Sequence, residues 1–547
     1  MTPSFFASER GRTPGRMRWA LWLLPVLLLV LASVRPLSIP DEGRYAEVGR
    51  WMLMTGDWLT PRVDGIPFFH KPPLLYWLEA ASMAVFGVTP WAARWVVALH
   101  ACLMLGLMAA CVRHFAGADV ARRAAWVLGT SMTFLVAGQY VNTDMLVATW
   151  MGAAIWCFAR AFMHEGGIHA HWARAGFVAC ALGVLSKGLI GLLLPGLVLF
   201  VWIAYTSQWR KILALPWVSG LLLFAAVALP WFVLAAREHP DMLAYMFGKH
   251  QFGRYTATTF NNARPWWFYG VAVTVLLFPW IFFVAADGVQ RVRQRLRGHA
   301  CDDQSAWVAL CWIWVLAILG FFSIPNSKLM GYALPVMPAL AVLAALWWQR
   351  YLAPRAWSAL LFAALSLVGV GVAVFANHYA SEFTLERSTR GVAQAVACQV
   401  PPDDVLAVMD DYPYDVMFYA QRTRPMEVIQ DWAREQREAG DDWRRELMDG
   451  VDFDPASGAV LQPMSRLAAL RSDPHAWVLA PRWHKAFRAE TYAGFTEAYQ
   501  DEAWILYRGV NIAPNASKPS GPSTRAAKSP ETTEQKSLRG CEDQRKK

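Results

Sequence analysis

Long, uninterrupted apolar runs govern what this chain can fold into. A helix crossing a bilayer needs about 20 apolar residues, with a range of roughly 17–25. In lipid, every backbone N–H and C=O must be paired within the segment, so such runs commit to helix. Eleven runs qualify: 18–34, 91–112, 121–138, 143–163, 172–187, 189–206, 214–236, 266–287, 305–323, 331–351 and 354–376. The junctions at 139–142, 187–188 and 324–330 are the shortest. Hydrophobic residues make up 56% of the 547 positions and charged residues 17%, against about a quarter charged in a soluble domain. This excludes an ordinary cytosolic enzyme, a fibre and a disordered chain. The net charge of +10 fits membrane anchoring and anionic ligands rather than nucleic acid. The 8 cysteines show no Cys-x-x-Cys spacing, so neither a disulfide framework nor a zinc finger is expected.

Basic residues set the expected sidedness. Arg10, Arg12, Arg16 and Arg18 precede the first run, and later clusters fall in alternate loops: Arg113/Arg122/Arg123, Arg210/Lys211, Arg291/Arg293/Arg295/Arg297 and Arg350/Arg355. With eleven spans all lie on one side, which is read as cytoplasmic. The expected organisation is then a cytoplasmic arm (1–17), a transmembrane domain (18–376) with an outer loop (35–90), an outer α/β domain (377–510) and a disordered tail (511–547). A cleaved signal peptide over 1–34 is the alternative, and it also leaves residue 41 outside. In the outer domain, VLAVMD (405–410) and AWVLA (476–480) read as strands, and DWAREQREAGDDWRRELMDG (431–450) reads as helix.

Costly polar residues gather on the outer side from distant stretches: Asp41, Glu42, Arg44, Glu47 and Lys71, then Asp144, Lys187, Lys249, His250, Arg254 and Lys328. Ionisable groups at membrane depth usually face a cavity, so these are expected to share one site. Asp41 stands before a helical stretch, where a short carboxylate suits an N-cap. A capped amphipathic helix lying on the membrane would explain that segment equally well. Pro67, Pro72 and Pro73 fix the backbone around His70-Lys71, since proline locks φ. A lysine held there suits a lipid phosphate, and a snorkelling lysine is the competing reading.

The strings D-E-x-R-Y-A-E (41–47), G-D-W-x-x-P-R (56–62) and F-x-K-P-P-x-x-Y-W (69–77) resemble the lipid A aminoarabinose transferases. These belong to the wider protein O-mannosyltransferase superfamily. N-T-D (142–144), L-S-K-G (185–188), K-H-Q-F-G-R-Y (249–255) and S-I-P-N-S-K-L-x-x-Y-x-L-P-x-x-P-A-L (323–340) add to the likeness. The resemblance implies a polytopic α-helical membrane protein of the C-type glycosyltransferase fold, with about eleven to thirteen spans and a small C-terminal periplasmic α/β domain. It implies an inner-membrane enzyme moving a sugar from undecaprenyl phosphate to lipid A, with 4-amino-4-deoxy-L-arabinose as the sugar. A transferase handling galactosamine or mannose, or acting on a glycan or protein, is the alternative. A lipid-phosphate transporter would place charges at the bilayer midplane and in matching halves.

By the same resemblance, Asp41 is the main catalytic carboxylate and Asp144 lines its cavity, holding either a sugar amine or a metal. Lys71 meets the donor phosphate; from charge alone, the anion a leaving phosphate becomes makes Arg44, Arg254, Lys187 and Lys328 further candidates for its clamp. Glu42, Tyr45 and Tyr332 touch substrate. His250 takes part in a divalent-metal site, with an acidic partner where this chain carries His70; two histidines can still hold zinc. Membrane lipids complete the expected partners, and nucleic acid is not among them.

Overall fold

The computed structural model describes residues 21–253, 262–297, 306–385, 388–438 and 440–510. The expected arm 1–17, the tail 511–547 and Arg254 lie outside the described residues. The chain opens with α1 (Leu23–Val34), α2 (Asp41–Thr55), α3 (Leu74–Phe86) and α4 (Pro90–Gly129). It continues through α5 (Thr143–Phe162), α6 (Ala170–Lys187), α7 (Ile190–Thr206) and α8 (Trp217–Glu238). Next come α9 (Phe268–Leu276), α10 (Ile281–Leu296), α11 (Ala306–Ser323), α12 (Met337–Tyr351) and α13 (Ser358–Leu385). Among the described residues, 6 helical stretches are long and apolar enough to cross a membrane, and α1, α3 and α7 are shorter apolar helices.

The expected spans hold as helix with three local differences. The runs at 91–112 and 121–138 are two helical segments meeting at Gly117 (φ 85°, ψ 170°), a conformation glycine adopts without steric cost. The second stops at Gly129, and short turns at Met132–Leu135 and Ala137–Gln139 follow. The run at 266–287 is divided into α9 and α10 around Pro279, whose ring cannot continue a helix. The last run extends as helix to Leu385. Between α6 and α7 a β-carbon on Gly183 would lie 3.1 Å from the backbone of Gly191. Small residues allow such close helix approach.

Beyond α13 lie α14 (Arg390–Gln399), α15 (Trp432–Glu438) and α16 (Trp443–Val451). They accompany a six-stranded sheet: β3 (Val405–Met409), β4 (Glu427–Ile429), β5 (Leu461–Gln462), β6 (Ala476–Pro481), β7 (Thr496–Gln500) and β8 (Trp504–Arg508). Its order is β5-β4-β3-β6-β8-β7. The first four are parallel neighbours, and β8 runs antiparallel to β6 and β7. Strand side chains alternate between faces. Leu406 and Val408 join the main core that the membrane helices also build, whereas Ala407 and Met409 pack in a second core on the other face.

The α/β domain docks on the first loop. That loop is a hairpin, β1 (Arg62–Val63) and β2 (Ile66–Pro67), turned at Asp64 (φ 53°) and Gly65 (φ 84°). Two positive φ values at Asp-Gly give the tight turn that suits strand twist. Asp64 Oδ1 accepts from the Met426 N–H at 2.9 Å, and Arg62 pairs with Asp454 at 2.7 Å. A β-carbon on Gly43 would lie 2.9 Å from the Asp415 side chain, and one on Gly450 would strike Ile66 and Pro67.

Candidate functional site

The first helical turn of α2 organises the site. Its leading N–H groups lack intrahelical partners, yet Asp41 does not cap them. The Ser38 carbonyl accepts from the N–H of Glu42 (2.9 Å) and of Gly43 (3.3 Å). The expected N-cap role is therefore corrected: Asp41 is the first helical residue, and its carboxylate is turned to side chains instead. Arg44 Nη2 donates to it at 2.6 Å and the Tyr140 hydroxyl at 3.4 Å. The Asp41 side chain is 41% exposed. Residues three and four apart share a helix face, which puts Arg44 and Tyr45 beside Asp41.

Glu42 points elsewhere, and its expected substrate role is corrected. It is fully buried. Its two oxygens accept from Arg35 and Arg94, two bonds each, and from the backbone N–H of Ser38 and Val141. An ionised carboxylate offers about four lone-pair positions, so no capacity remains for a ligand. Burial alone would raise its pKa, but Arg35 and Arg94 hold the carboxyl well below the usual range. Arg94 in turn commits its whole guanidinium. Besides Glu42 it donates to the carbonyls of Ala32, Arg35 and Pro36, which the end of α1 leaves unpaired. This network fixes the loop entering α2.

A second acidic partner comes from the far end of the chain. Arg44 Nη1 donates to Glu446 on α16, and the Tyr414 hydroxyl donates to the other Glu446 oxygen at 2.5 Å. His70 Nδ1 lies 3.8 Å from Glu446. The Tyr245 hydroxyl meets His70 Nε2 at 2.9 Å and donates to Asp449 at 3.1 Å. Lys249 Nζ donates to Asp449 at 2.5 Å. Asp442 caps α16 by accepting from the Arg444 N–H at 3.0 Å, and Glu446 and Asp449, four and seven residues further on, lie on one face of the helix. Neither acid was among the expected site residues. The only signal available was their three-residue spacing within the charged helical stretch.

Asp144 forms the other half. Asn142 caps α5 by accepting from the Asp144 N–H at 2.9 Å. Lys187, at the end of α6, pairs with the Asp144 carboxylate, and its Nζ lies 4.6 Å from the Tyr332 ring centre. A β-carbon at Gly331 would overlap that carboxylate. Tyr45 joins the halves: its hydroxyl feels burial first, then Arg44, Asp41, Asp144 and Glu446, and its pKa is raised. Lys71 follows the hairpin and is partly exposed. Lys328, expected among the phosphate-binding cations, is buried. Its Nζ donates to the carbonyls of Arg264 (3.1 Å) and Pro325 (2.5 Å), where it clasps two loops together.

His70 and His250 are neighbours with ring centres 4.1 Å apart at 36°. Among the described residues no group of three or more His, Cys, Asp or Glu side chains is placed to hold a metal. The zinc expected at His70 and His250 would thus have to be held by two histidines without a third His, Cys, Asp or Glu from the described residues.

Residues 70–233 match the family described as dolichyl-phosphate-mannose-protein mannosyltransferase. An undecaprenyl phosphate-alpha-4-amino-4-deoxy-L-arabinose arabinosyl transferase 2 of Pseudomonas fluorescens is 30% identical over 334 residues, covering 59% of this chain and 59% of that protein. The corresponding transferase of Pseudomonas aeruginosa is 31% identical over 338 residues, covering 60% and 59%. The chain thus matches about three-fifths of the length of these curated relatives. Crystal structures of ArnT from Cupriavidus metallidurans are similar in fold. The form bound to undecaprenyl phosphate gives a TM-score of 0.76 at 23% identity, over 91% of this chain and 98% of that one. The Archaeoglobus fulgidus oligosaccharyltransferase gives 0.50 at 12% identity, over 87% and 71%. The resemblance read from the motifs is shown in sequence, and the polytopic fold with its C-terminal α/β domain is shown in structure.

Proposed function

We propose that the chain is an inner-membrane glycosyltransferase that moves 4-amino-4-deoxy-L-arabinose from undecaprenyl phosphate to a lipid A phosphate at the periplasmic face. One observation carries this reading: the Asp41–Arg44 pair and the Asp144–Lys187 pair, from stretches 103 positions apart by numbering, both act electrostatically on the buried Tyr45 hydroxyl. Such a pocket suits a charged lipid headgroup, and the named relatives are transferases for that donor. The periplasmic placement is supported by the alternate-loop basic clusters.

In the proposed reaction the bond between the sugar anomeric carbon and the donor phosphate oxygen breaks. The electron pair leaves with undecaprenyl phosphate. An acceptor phosphate oxygen attacks the opposite face and forms the new bond, which inverts the anomeric centre. An anionic leaving group needs no strong acid, but its charge is costly in a low-dielectric cavity without nearby cations. Lys71 and Lys187 are proposed to supply them. Asp41 orients the acceptor, and would take its proton were it a hydroxyl. Asp144 keeps Lys187 in place until the donor arrives.

Mass spectrometry of lipid A from cells with and without the protein tests this. One added aminopentose per modified phosphate is expected, and Asp41→Asn is expected to abolish it while the protein still accumulates in the membrane. Unmodified lipid A alongside a modified glycan or protein would favour the alternative acceptor.

A further inference from the structure

We infer that Glu446, from the C-terminal domain, is a positioning residue for Asp41: it withholds Arg44 from the donor phosphate and keeps it as Asp41's partner. The inference rests on the proposed donor and adds to it a role for the outer domain.

Arg44 is a fork with two carboxylates on its two prongs, Asp41 at 2.6 Å on Nη2 and Glu446 on Nη1. A planar guanidinium holding two carboxylates fixes the direction of both. The fork is packed between rings, with the Tyr45 and Tyr414 centres each 5.3 Å from it and Phe68 at 5.8 Å. Its Nε is buried and has no hydrogen-bond partner. An anion entering the site would therefore find a cation with one N–H unused, held back only by its two carboxylates.

Glu446 is the better anchored of the two. Its side chain is 16% exposed, against 41% for Asp41, and the Tyr414 hydroxyl holds its second oxygen at 2.5 Å. Its helix is pinned where Gly450 meets Ile66 and Pro67 without room for a β-carbon. With Glu446 in place, Arg44 stays with Asp41 when the phosphate arrives. Without it, Arg44 is drawn to the phosphate and Asp41 loses its fixed direction.

The consequence is a split that no merely structural residue would produce. In Glu446→Gln, undecaprenyl phosphate should bind roughly tenfold more tightly, the worth of one hydrogen bond to a charged group. The turnover number should fall on the order of 10–100-fold, as misplaced catalytic groups do. Glu446→Asp should recover part of the turnover. Tyr414→Phe, which keeps the ring but releases Glu446, should shift both quantities the same way by a smaller factor. In the double variant Arg44→Ala/Glu446→Gln, affinity should equal that of Arg44→Ala alone.

Binding of undecaprenyl phosphate to the full-length protein in detergent, followed by tryptophan fluorescence, reads the first effect; transfer kinetics read the second. Weaker or unchanged binding in both Glu446→Gln and Tyr414→Phe would overturn the inference. So would additive affinity losses in the double variant. Failure of the wild-type protein to bind undecaprenyl phosphate would instead strike at the proposed donor itself.

Discussion

Replacing Glu42 with glutamine tests how the entry to α2 is built. The native carboxylate is fully buried and receives donors from Arg35, Arg94, Ser38 and Val141. Glutamine keeps the shape but loses the charge, and its NH2 group faces donors where an acceptor is needed. Two buried guanidinium groups are left uncompensated. Breaking a buried ion pair by removing one partner costs about 3–5 kcal/mol. The lower figure alone corresponds to a shift on the order of 100-fold in the folding equilibrium. Measured as the fraction surviving a heat step, by size-exclusion chromatography in detergent, Glu42→Gln should unfold well below wild type. Molecules that stay folded should bind donor normally, because no Glu42 oxygen is open to it. The wild type has a further signature. Its carboxyl is held below the ordinary range, so this stability is present above about pH 4 and is lost as pH falls through the folded-state value. The variant should show a flatter acid limb. A Glu42→Gln protein as heat-stable as wild type but unable to bind donor would refute this account and return Glu42 to the substrate.

Three further outcomes follow from particular positions. Burial pushes Asp64 up to about 7 and Asp415 up to about 6, both where the α/β domain docks. A raised folded-state value gives stability that is full below about pH 4 and lost as pH rises through 6 and 7. Heat stability should therefore decline over that window, and Asp64→Asn should flatten the decline; a pH-independent wild type would contradict this. Gly331→Ala places a methyl group against the Asp144 carboxylate. Turnover should drop at least roughly tenfold through displacement of a site group, with unchanged yield of folded protein. Chelation with EDTA should leave transfer intact, since no described ligand set converges on a metal; activity lost to EDTA and restored by zinc would show that His70 and His250 rearrange to bind it.

The helices were legible in the sequence because their signal is local. The run at 143–163 became Thr143–Phe162 almost unchanged, and the strands at 405–410 and 476–480 appear as β3 and β6. Pro279 and Gly117 carried the breaks, and Asp64-Gly65 carried a hairpin signal that was not read. The acid–base cluster was legible in part. Asp41 pairs with Arg44 and Asp144 with Lys187, but whether Asp41 or the adjacent Glu42 was the more open was not legible, since neighbours on a helix point to different sides. Helical spacing alone puts Arg44 and Tyr45 with Asp41. Glu446 and Asp449 were beyond reach because their placement depends on how a separate domain docks, which no local pattern encodes. Lys328 looked like a phosphate cation for the same reason: its carbonyl partners are set by loop packing.

Arg44 and its acidic anchor are separated by 402 positions. During synthesis, every membrane helix up to α13 is made before Glu446 leaves the ribosome. A nascent or prematurely terminated chain thus carries Asp41 and Arg44 without the Glu446 carboxylate that holds the guanidinium. On the proposed reading, the geometry around Asp41 is complete only when the polypeptide is, and a fragment released early leaves Arg44 free to hold the carrier phosphate unproductively.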